Sequence, residues 1–326
     1  MAPPWTAADS AANLTRFVKQ RGGATGGSAY PMLRLVALVA CGTRSIIDAV
    51  YGPISSGETT QVPRLAGSRR AGMLLLADRN FAAGPLWGVL AGTGAHLLVR
   101  ARTDRHGPRL AVLRRHRDGS YRATFGGRLV RVVEAEITMS TTAGTATGVY
   151  RLITTLLDQH RHPAAALIRL YHERWEIETA YLELKPSILG GRVLRARTPA
   201  GIDQEIHALL VTYQILRTAM TDATNTVPGV DPDRASFTIA RNAARDQLVQ
   251  AAGVIADTVI DLVGVIGRRV LDNLMPERRL RVNARTVKRA ISKYNARGPN
   301  IDRRTYKGTL NINILTGPGL TTGPDP

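Results

Sequence analysis

The stretch from Pro163 to Lys185 constrains this chain more than any other, because it holds no glycine, no proline after the first residue, and polar groups at helical spacing. Tyr171, Arg174, Glu178 and Lys185 are separated by three, four and seven residues. At about 100° per residue they fall within about 60° of one another on a helix surface. Proline suits the first turn of a helix, where its missing N–H is not needed, so one long helix over 163–185 with a single polar stripe is expected. By itself such a stripe is more often a solvated face.

Upstream, Gly72 to Ala77 is a short continuous apolar run ending at Asp78, the pattern of a buried central strand whose last residue emerges at its carboxyl end. Leu33–Ala40 and Ser45–Tyr51, joined by Cys41-Gly42-Thr43-Arg44, read as a hairpin. A strand over Ala95–Arg100 follows a helix around Trp87, and a further strand is expected over Tyr150–Leu157. Between them, short β-prone pieces separated by Asp118-Gly119 and Gly126-Gly127 read as a β-rich insertion over 102–148. Helices are expected over Asp203–Ala219 and Ser236–Ala256. The expected organisation is a loop or arm over 1–30, a core in two parts over 31–101 and 149–222, a helical and basic region over 223–316, and a disordered tail over 317–326.

A length of 326 residues suffices for one large domain with an insertion or for two domains. No apolar run approaches the roughly 20 residues of a membrane span, and Met1–Ser10 lacks the basic and apolar regions of a secretion signal. The single cysteine, Cys41, reads as a small buried residue, excludes an internal disulfide or zinc cluster, and suits a reducing cytoplasm. The formal charge of +19, from 44 basic against 25 acidic residues, draws such a chain to polyanions, nucleic acid first. Arginine greatly outnumbers lysine, which suits bidentate phosphate contacts and also follows from a GC-biased genome. The insertion is dense in arginine from Arg100 to Arg131, with Tyr121 and Phe125 as residues that either stack on a base or fill the core of the small sheet. A second basic run extends from Arg278 to Arg304; His160 and His162 read as loop residues.

The sequence Tyr171, two residues, Arg174, three residues, Glu178, six residues, Lys185 resembles, at every position and spacing, the signature of the insertion-sequence-4 family of DDE transposases. Ala77-Asp78-Arg79-Asn80-Phe81 is similar to that family's second motif, Asp-Arg-Gly followed by Phe or Tyr. Asn80 replaces the usual glycine, and asparagine also tolerates left-handed backbone. The resemblance continues through Arg195-Ala196-Arg197-Thr198-Pro199, and Trp175 and Ile177 read as packing positions. It implies an α/β fold with a ribonuclease-H-like mixed sheet flanked by helices, a β-rich insertion and a helical, basic C-terminal region.

It further implies metal-dependent DNA strand cleavage and strand transfer in cut-and-paste transposition, with Asp78 and Glu178 as two of three carboxylates holding two Mg²⁺ ions. Tyr171, Arg174 and Lys185 are then the residues contacting DNA phosphates, positioning the end without reading its bases. The implied partners are double-stranded DNA, as transposon ends and target, and a second copy of the chain in a synaptic complex, with no membrane. The implied location is the bacterial cytoplasm at the nucleoid.

In this family the first catalytic Asp lies in an Asp-Gly-Thr segment shortly before a Pro-Asp-Ser or Pro-Asp-Thr loop. No Asp-Gly-Thr occurs here, and the loop survives as Ala8-Asp9-Ser10-Ala11-Ala12-Asn13, which places the missing Asp at or just before Met1. Asp9 is a poor substitute because no strand of useful length precedes it, and Asp48 reads as a surface residue of the hairpin. A truncated or misplaced start, and a chain inactive as it stands, are therefore expected. The competing reading is a decayed, non-catalytic DNA-binding remnant; a stand-alone nuclease fits less well, because the helix signature belongs to transposases.

Overall fold

The computed structural model describes residues 4–20, 28–251, 261–276, 281–282 and 306–315. It opens with β1 (Pro4–Thr6) and α1 (Ala11–Phe17), followed by the hairpin β2 (Met32–Val39) and β3 (Ile46–Pro53). A short helix α2 (Glu58–Gln61) and a 3-10 turn over Val62–Ser68 lead to β4 (Leu74–Ala77), α3 (Gly84–Ala91) and β5 (His96–Ala101). The β-rich segment comprises β6 (Arg114–Arg115), β7 (Tyr121–Phe125), β8 (Arg128–Thr141) and β9 (Gly144–Thr154). Helices α4 (Ala164–Tyr171), α5 (Glu176–Leu182), α6 (Pro199–Asn225), α7 (Phe237–Ala251) and α8 (Leu262–Leu271) follow, with β10 (Arg281–Val282) and β11 (Tyr306–Ile314) last.

The strands form two sheets: an antiparallel β1-β2-β3 sheet, and a mixed eight-stranded sheet in the order β10-β11-β8-β9-β5-β4, with β7 on β8 and β6 on β7. The β4–β5 pair is parallel, and its neighbours are antiparallel. Helices flank both sheets, which is the ribonuclease-H-like α/β arrangement the resemblance implies. One apolar cluster joins Trp5, Leu33 and Leu35 to α5, α6, α7 and α8. A second lies between the mixed sheet and α3, around Trp87, and a third lies on the opposite face under α4. Gly126 and Gly127 turn β7 into β8 at φ +56 and +73, as a two-residue hairpin of this twist requires. A Cβ at Gly126 would stand 2.8 Å from the Gly84 carbonyl oxygen.

Several expectations are corrected. The segment over 1–30 is not merely a loop or arm: Trp5, Ala7 and Phe17 are buried, and the Ser10 hydroxyl caps α1 by accepting from Asn13 N–H at 3.2 Å. The Asn13 amide donates to the carbonyls of Ala8 and Ala196 at 3.0 and 2.9 Å, which ties this loop to the segment before α6. Among the described residues strand β4 stands at the end of its sheet, where a central strand is expected, and helices on its two faces contribute to the burial that its apolar run records.

The helix over 163–185 changes pitch twice, at a 3-10 turn over His172–Trp175 and at a wide turn over Glu183–Ile188. Pro186 accounts for the second, since it has no N–H for the carbonyl four residues back; the Ser187 hydroxyl donates to that carbonyl, Leu182, at 3.2 Å. The strand expected over Tyr150–Leu157 is the end of the longer β9, paired with β8 along its whole length. The C-terminal region is not wholly helical, because β11 pairs with β8 and packs Ile312 and Ile314 on the third cluster. The expected tail over 317–326, the glycine-rich run at 21–27 and the basic residues from Arg278 to Arg279 and Arg285 to Arg304 lie outside the described residues.

Candidate functional site

Asp78 follows the last residue of β4 and caps a right-handed 3-10 turn over Arg79–Phe81, its carboxylate accepting from Arg79 N–H at 2.6 Å. Asn80 lies inside that turn, so the left-handed conformation that asparagine tolerates is not used. One residue earlier, the Ala77 carbonyl accepts from the Tyr171 hydroxyl at 3.0 Å. Tyr171 is 7% exposed, and burial pushes its phenol far above the ordinary range, so the hydroxyl stays a donor. The last turn of α4 is thereby fastened to the strand end that presents Asp78.

Arg174 projects from the 3-10 turn between α4 and α5 and places its guanidinium 3.4 Å from Glu178. Burial alone would raise the Asp78 carboxyl, but the Arg174 charge and the Arg79 N–H outweigh it and hold it below the usual carboxylate range. Burial likewise opposes the Arg174 charge, and the neighbouring Tyr171, Asp78 and Glu178 reverse the effect, keeping the guanidinium charged. Asp78, Tyr171, Arg174 and Glu178 therefore converge. The Lys185 ammonium donates to the Pro4 carbonyl and fastens the wide turn to β1. Trp175 is 41% exposed, with the Arg174 guanidinium 5.0 Å from its ring, and is not a packing position. Ile177 does pack, against the first cluster.

Among the described residues, Asp78 and Glu178 belong to no group of three carboxylate, histidine or cysteine ligands within 4.8 Å of one another; Glu173, Glu176 and Asp233 do. The guanidinium of Arg44 lies against two of these last, bonded to Glu176 and 2.7 Å from Asp233. It occupies the position a cation would take. Arg44 is buried at φ 56 in the β2–β3 turn, and its network extends through Glu183 to Arg217 and Tyr213 on α6. Sequence reading missed this network, since nothing in the spacing of the turn and three helices links them.

A cavity of about 390 Å³ runs beside Asp78 and Glu178, bordered by β2, β4, α5 and the turn after α2. Cys41 lines it, only partly buried, its thiol pushed up to about 11 by burial and by Glu173, Glu176 and Asp233. Asp48 is held at the hairpin by the Ser68 hydroxyl and by Ala49 N–H, both of which donate to its carboxylate. In the β-rich segment Tyr121 and Phe125 are core residues, Phe125 meeting Trp87 edge-on at 5.2 Å. Arg131 is 0% exposed and bonded to Asp118 and Ser120, whereas Arg114, Arg115, Arg117 and Arg128 are exposed. No helix among the described residues is long and apolar enough to cross a membrane.

Residues 6–215 match the family described as the transposase DDE domain. The chain is also 25% identical over 304 residues to the transposase InsG for insertion sequence element IS4 of Escherichia coli (strain K12), an alignment covering 89% of this chain and 67% of that protein. The family match runs from the last residue of β1 to the middle of α6 and so contains the Asp78 turn and the whole helix that carries Arg174 and Glu178. With that span and the signature intact within it, the chain belongs to the DDE transposases of the insertion-sequence-4 type.

Proposed function

We propose that the chain engages double-stranded DNA as the catalytic part of a cut-and-paste transposase, with Asp78 and Glu178 as ligands of Mg²⁺. The observation that carries this reading is the convergence of the two carboxylates on Arg174, from a strand end and a helix packed on it. Two hard oxygen donors on rigid elements fit a divalent cation that keeps most of its waters. A pair of ions needs further carboxylate oxygen, and the described residues bring no third ligand to this group. When bound, such ions supply an activated water or hydroxyl nucleophile and stabilise the leaving oxygen of a phosphodiester.

The residues divide the remaining work. Arg174 offers a charged, planar donor to a DNA phosphate once it lets go of Glu178. Trp175 presents an exposed ring beside it for a base or sugar. Tyr171 positions Asp78 from beneath, and Lys185 contributes to DNA contact only if it leaves the Pro4 carbonyl. The exposed arginines of the β-rich segment and the charge of +19 supply phosphate contacts without base readout. On this reading the chain alone binds DNA without turnover; a non-catalytic remnant shares its surfaces and differs in lacking metal uptake at Asp78 and Glu178.

Water-proton relaxation during Mn²⁺ titration, on the chain and on Asp78→Asn and Glu178→Gln, tests the proposal. Both variants are expected to lose the Mn²⁺ enhancement while holding DNA affinity within about twofold, since phosphate charge sets that affinity. Mn²⁺ uptake unchanged in both would overturn the assignment of these two ligands.

A further inference from the structure

Strand β9 runs past its neighbour. Strand β5 ends at Ala101, which pairs with Arg151, and the chain then leaves the sheet through a turn in which Gly107 N–H donates to the Asp104 carbonyl at 2.8 Å. From Gly144 to Tyr150, β9 therefore pairs on one side only, with β8. Thr155 donates its N–H to the Leu97 carbonyl at 3.1 Å, so by the alternation of an antiparallel strand Ile153 and Arg151 also turn their N–H and C=O groups to the β5 side. Further along that side stand those of Val149, Thr147 and Thr145, which no described residue meets.

This open edge lacks the devices that keep strand edges apart. Natural edges are blunted by charge, proline or a bulge, yet Ile137 to Tyr150 holds neither charge nor proline, and the β8–β9 register runs without a shift. Gly144 to Thr147 is exposed throughout. The Thr145 hydroxyl donates to that of Ser140 at 3.4 Å and the hydroxyls of Thr147 and Thr138 lie 3.1 Å apart, so one face of the overhang is a neutral hydroxyl row. Other edges are guarded: β6 is Arg114-Arg115, both exposed, and on β3 the Ile46 N–H and the Tyr51 carbonyl are taken by the side chains of Gln214 and Arg64. A neutral edge on a chain of charge +19 offers nothing to DNA or to an acidic partner. It fits a copy of itself, because an antiparallel strand pair is self-complementary about a two-fold axis.

We infer that β9 pairs edge to edge with β9 of a second copy of this chain, antiparallel and centred on Thr147. Thr147 then exchanges both main-chain hydrogen bonds with its counterpart, and Thr145 pairs with Val149 in each direction. A centre at Val149 would run the partner strand into β5, and one at Thr145 would leave Val149 unpaired. The overhang extends beyond the carboxyl ends of β4 and β5, the end at which Asp78 stands, so the pairing draws the second copy to that side of the molecule. So short a strand pair buries less than the roughly 1,200 Å² of a stable interface, and the dimer is expected to dissociate on dilution. The pairing does not depend on whether Asp78 and Glu178 take a metal as proposed above.

The test is sedimentation equilibrium of the full chain, without DNA or metal, over a range of protein and salt concentrations. A reversible monomer–dimer equilibrium is expected, and it should tighten toward about 1 M salt, where a screening length of about 3 Å removes the repulsion between two positive chains. Thr147→Pro deletes an N–H that faces away from β8, so the β8 ladder keeps its bonds, and Thr147→Lys puts a charge on the edge. Each is expected to weaken the dimer by about tenfold or more. Thermal unfolding checks that both variants fold, and Thr147→Lys decides if the proline variant does not. In a Cys41→Ala background, Thr147→Cys is expected to form a disulfide-linked dimer on oxidation, since its Cα stands about 5.5 Å from its counterpart. Thr145→Cys alone should not, its two copies lying about 13 Å or more apart. A chain monomeric under all these conditions, a dimer untouched by both changes at Thr147, or an association that salt weakens would overturn the pairing. Cross-linking equal at Thr145 and Thr147, or absent at both, would overturn it as well.

Discussion

Arg174 lies 3.4 Å from Glu178, and its charge also reaches Asp78 across the junction between β4 and the helix packed on it. One guanidinium thus holds two carboxylates that carry the same sign and would otherwise repel. Replacing Arg174 by Ala is expected to raise the Asp78 pKa, because burial then acts without its principal opponent. Carboxyl-carbon NMR titration of the two proteins checks this, and an unchanged Asp78 titration would contradict it.

The sign of that shift fixes a pH dependence. The folded pKa of Asp78 lies below its unfolded value, so its ionised form stabilises the fold fully above the unfolded carboxylate pKa of about 4. That contribution is lost as the pH falls through the folded pKa. The stability difference between the chain and Asp78→Asn is therefore expected to be constant from about pH 6 to 8 and to shrink in acid. Urea unfolding at a series of pH values measures it, and a difference that grows as the pH falls would contradict the assignment.

Tyr171 belongs to the scaffold of the site. Removing its hydroxyl leaves the buried Ala77 carbonyl without that donor, so Tyr171→Phe is expected to cost about 1–3 kcal/mol of stability. DNA affinity should change little. A large loss of DNA binding at unchanged stability would instead make the phenol a phosphate contact.

How much of the site is legible in the sequence follows from what each signal encodes. The apolar run ending at Asp78 and the stripe of Tyr171, Arg174 and Glu178 are local patterns, and they locate the site without knowledge of the fold. Lys185 shares the stripe, but its bond to the Pro4 carbonyl, beside the wide turn at Pro186, is not legible in the spacing. Arg44, Glu176, Glu183 and Asp233 carry no such signal, since the turn and helices that bring them together are remote in sequence. Strand β11 escapes sequence reading although Leu310, Ile312 and Ile314 alternate with polar residues, a pattern of period two that the surrounding basic composition masks.

The Arg44 network makes a separate prediction. Its guanidinium neutralises the buried Glu176 and the partly buried Asp233, so Arg44→Met removes that cation from a buried carboxylate and is expected to destabilise the fold by about 3–5 kcal/mol. Chemical denaturation measures this. A loss below about 1 kcal/mol would show that the acids are solvated in solution.

Charge in the β-rich segment should act through phosphates. Replacing exposed Arg114, Arg115 and Arg117 by Ala is expected to lower the slope of log affinity against log salt by about 0.9 for each DNA phosphate no longer neutralised. Arg131→Ala, which removes a buried residue bonded to Asp118 and Ser120, is expected to damage the fold first. Equal slopes before and after the triple replacement would remove these arginines from the DNA surface.

Asp78 and Glu178 are proposed as two carboxylates of a metal-dependent DNA-cutting site, and the described residues bring no third ligand to them. The direct measurement is strand cleavage and strand transfer by the purified chain on duplex DNA carrying the element's own ends, with Mg²⁺ or Mn²⁺. The account expects DNA binding with no cleaved or joined product. Robust metal-dependent products that disappear in Asp78→Ala and Glu178→Ala would contradict it, since another group in the chain would then be completing the site.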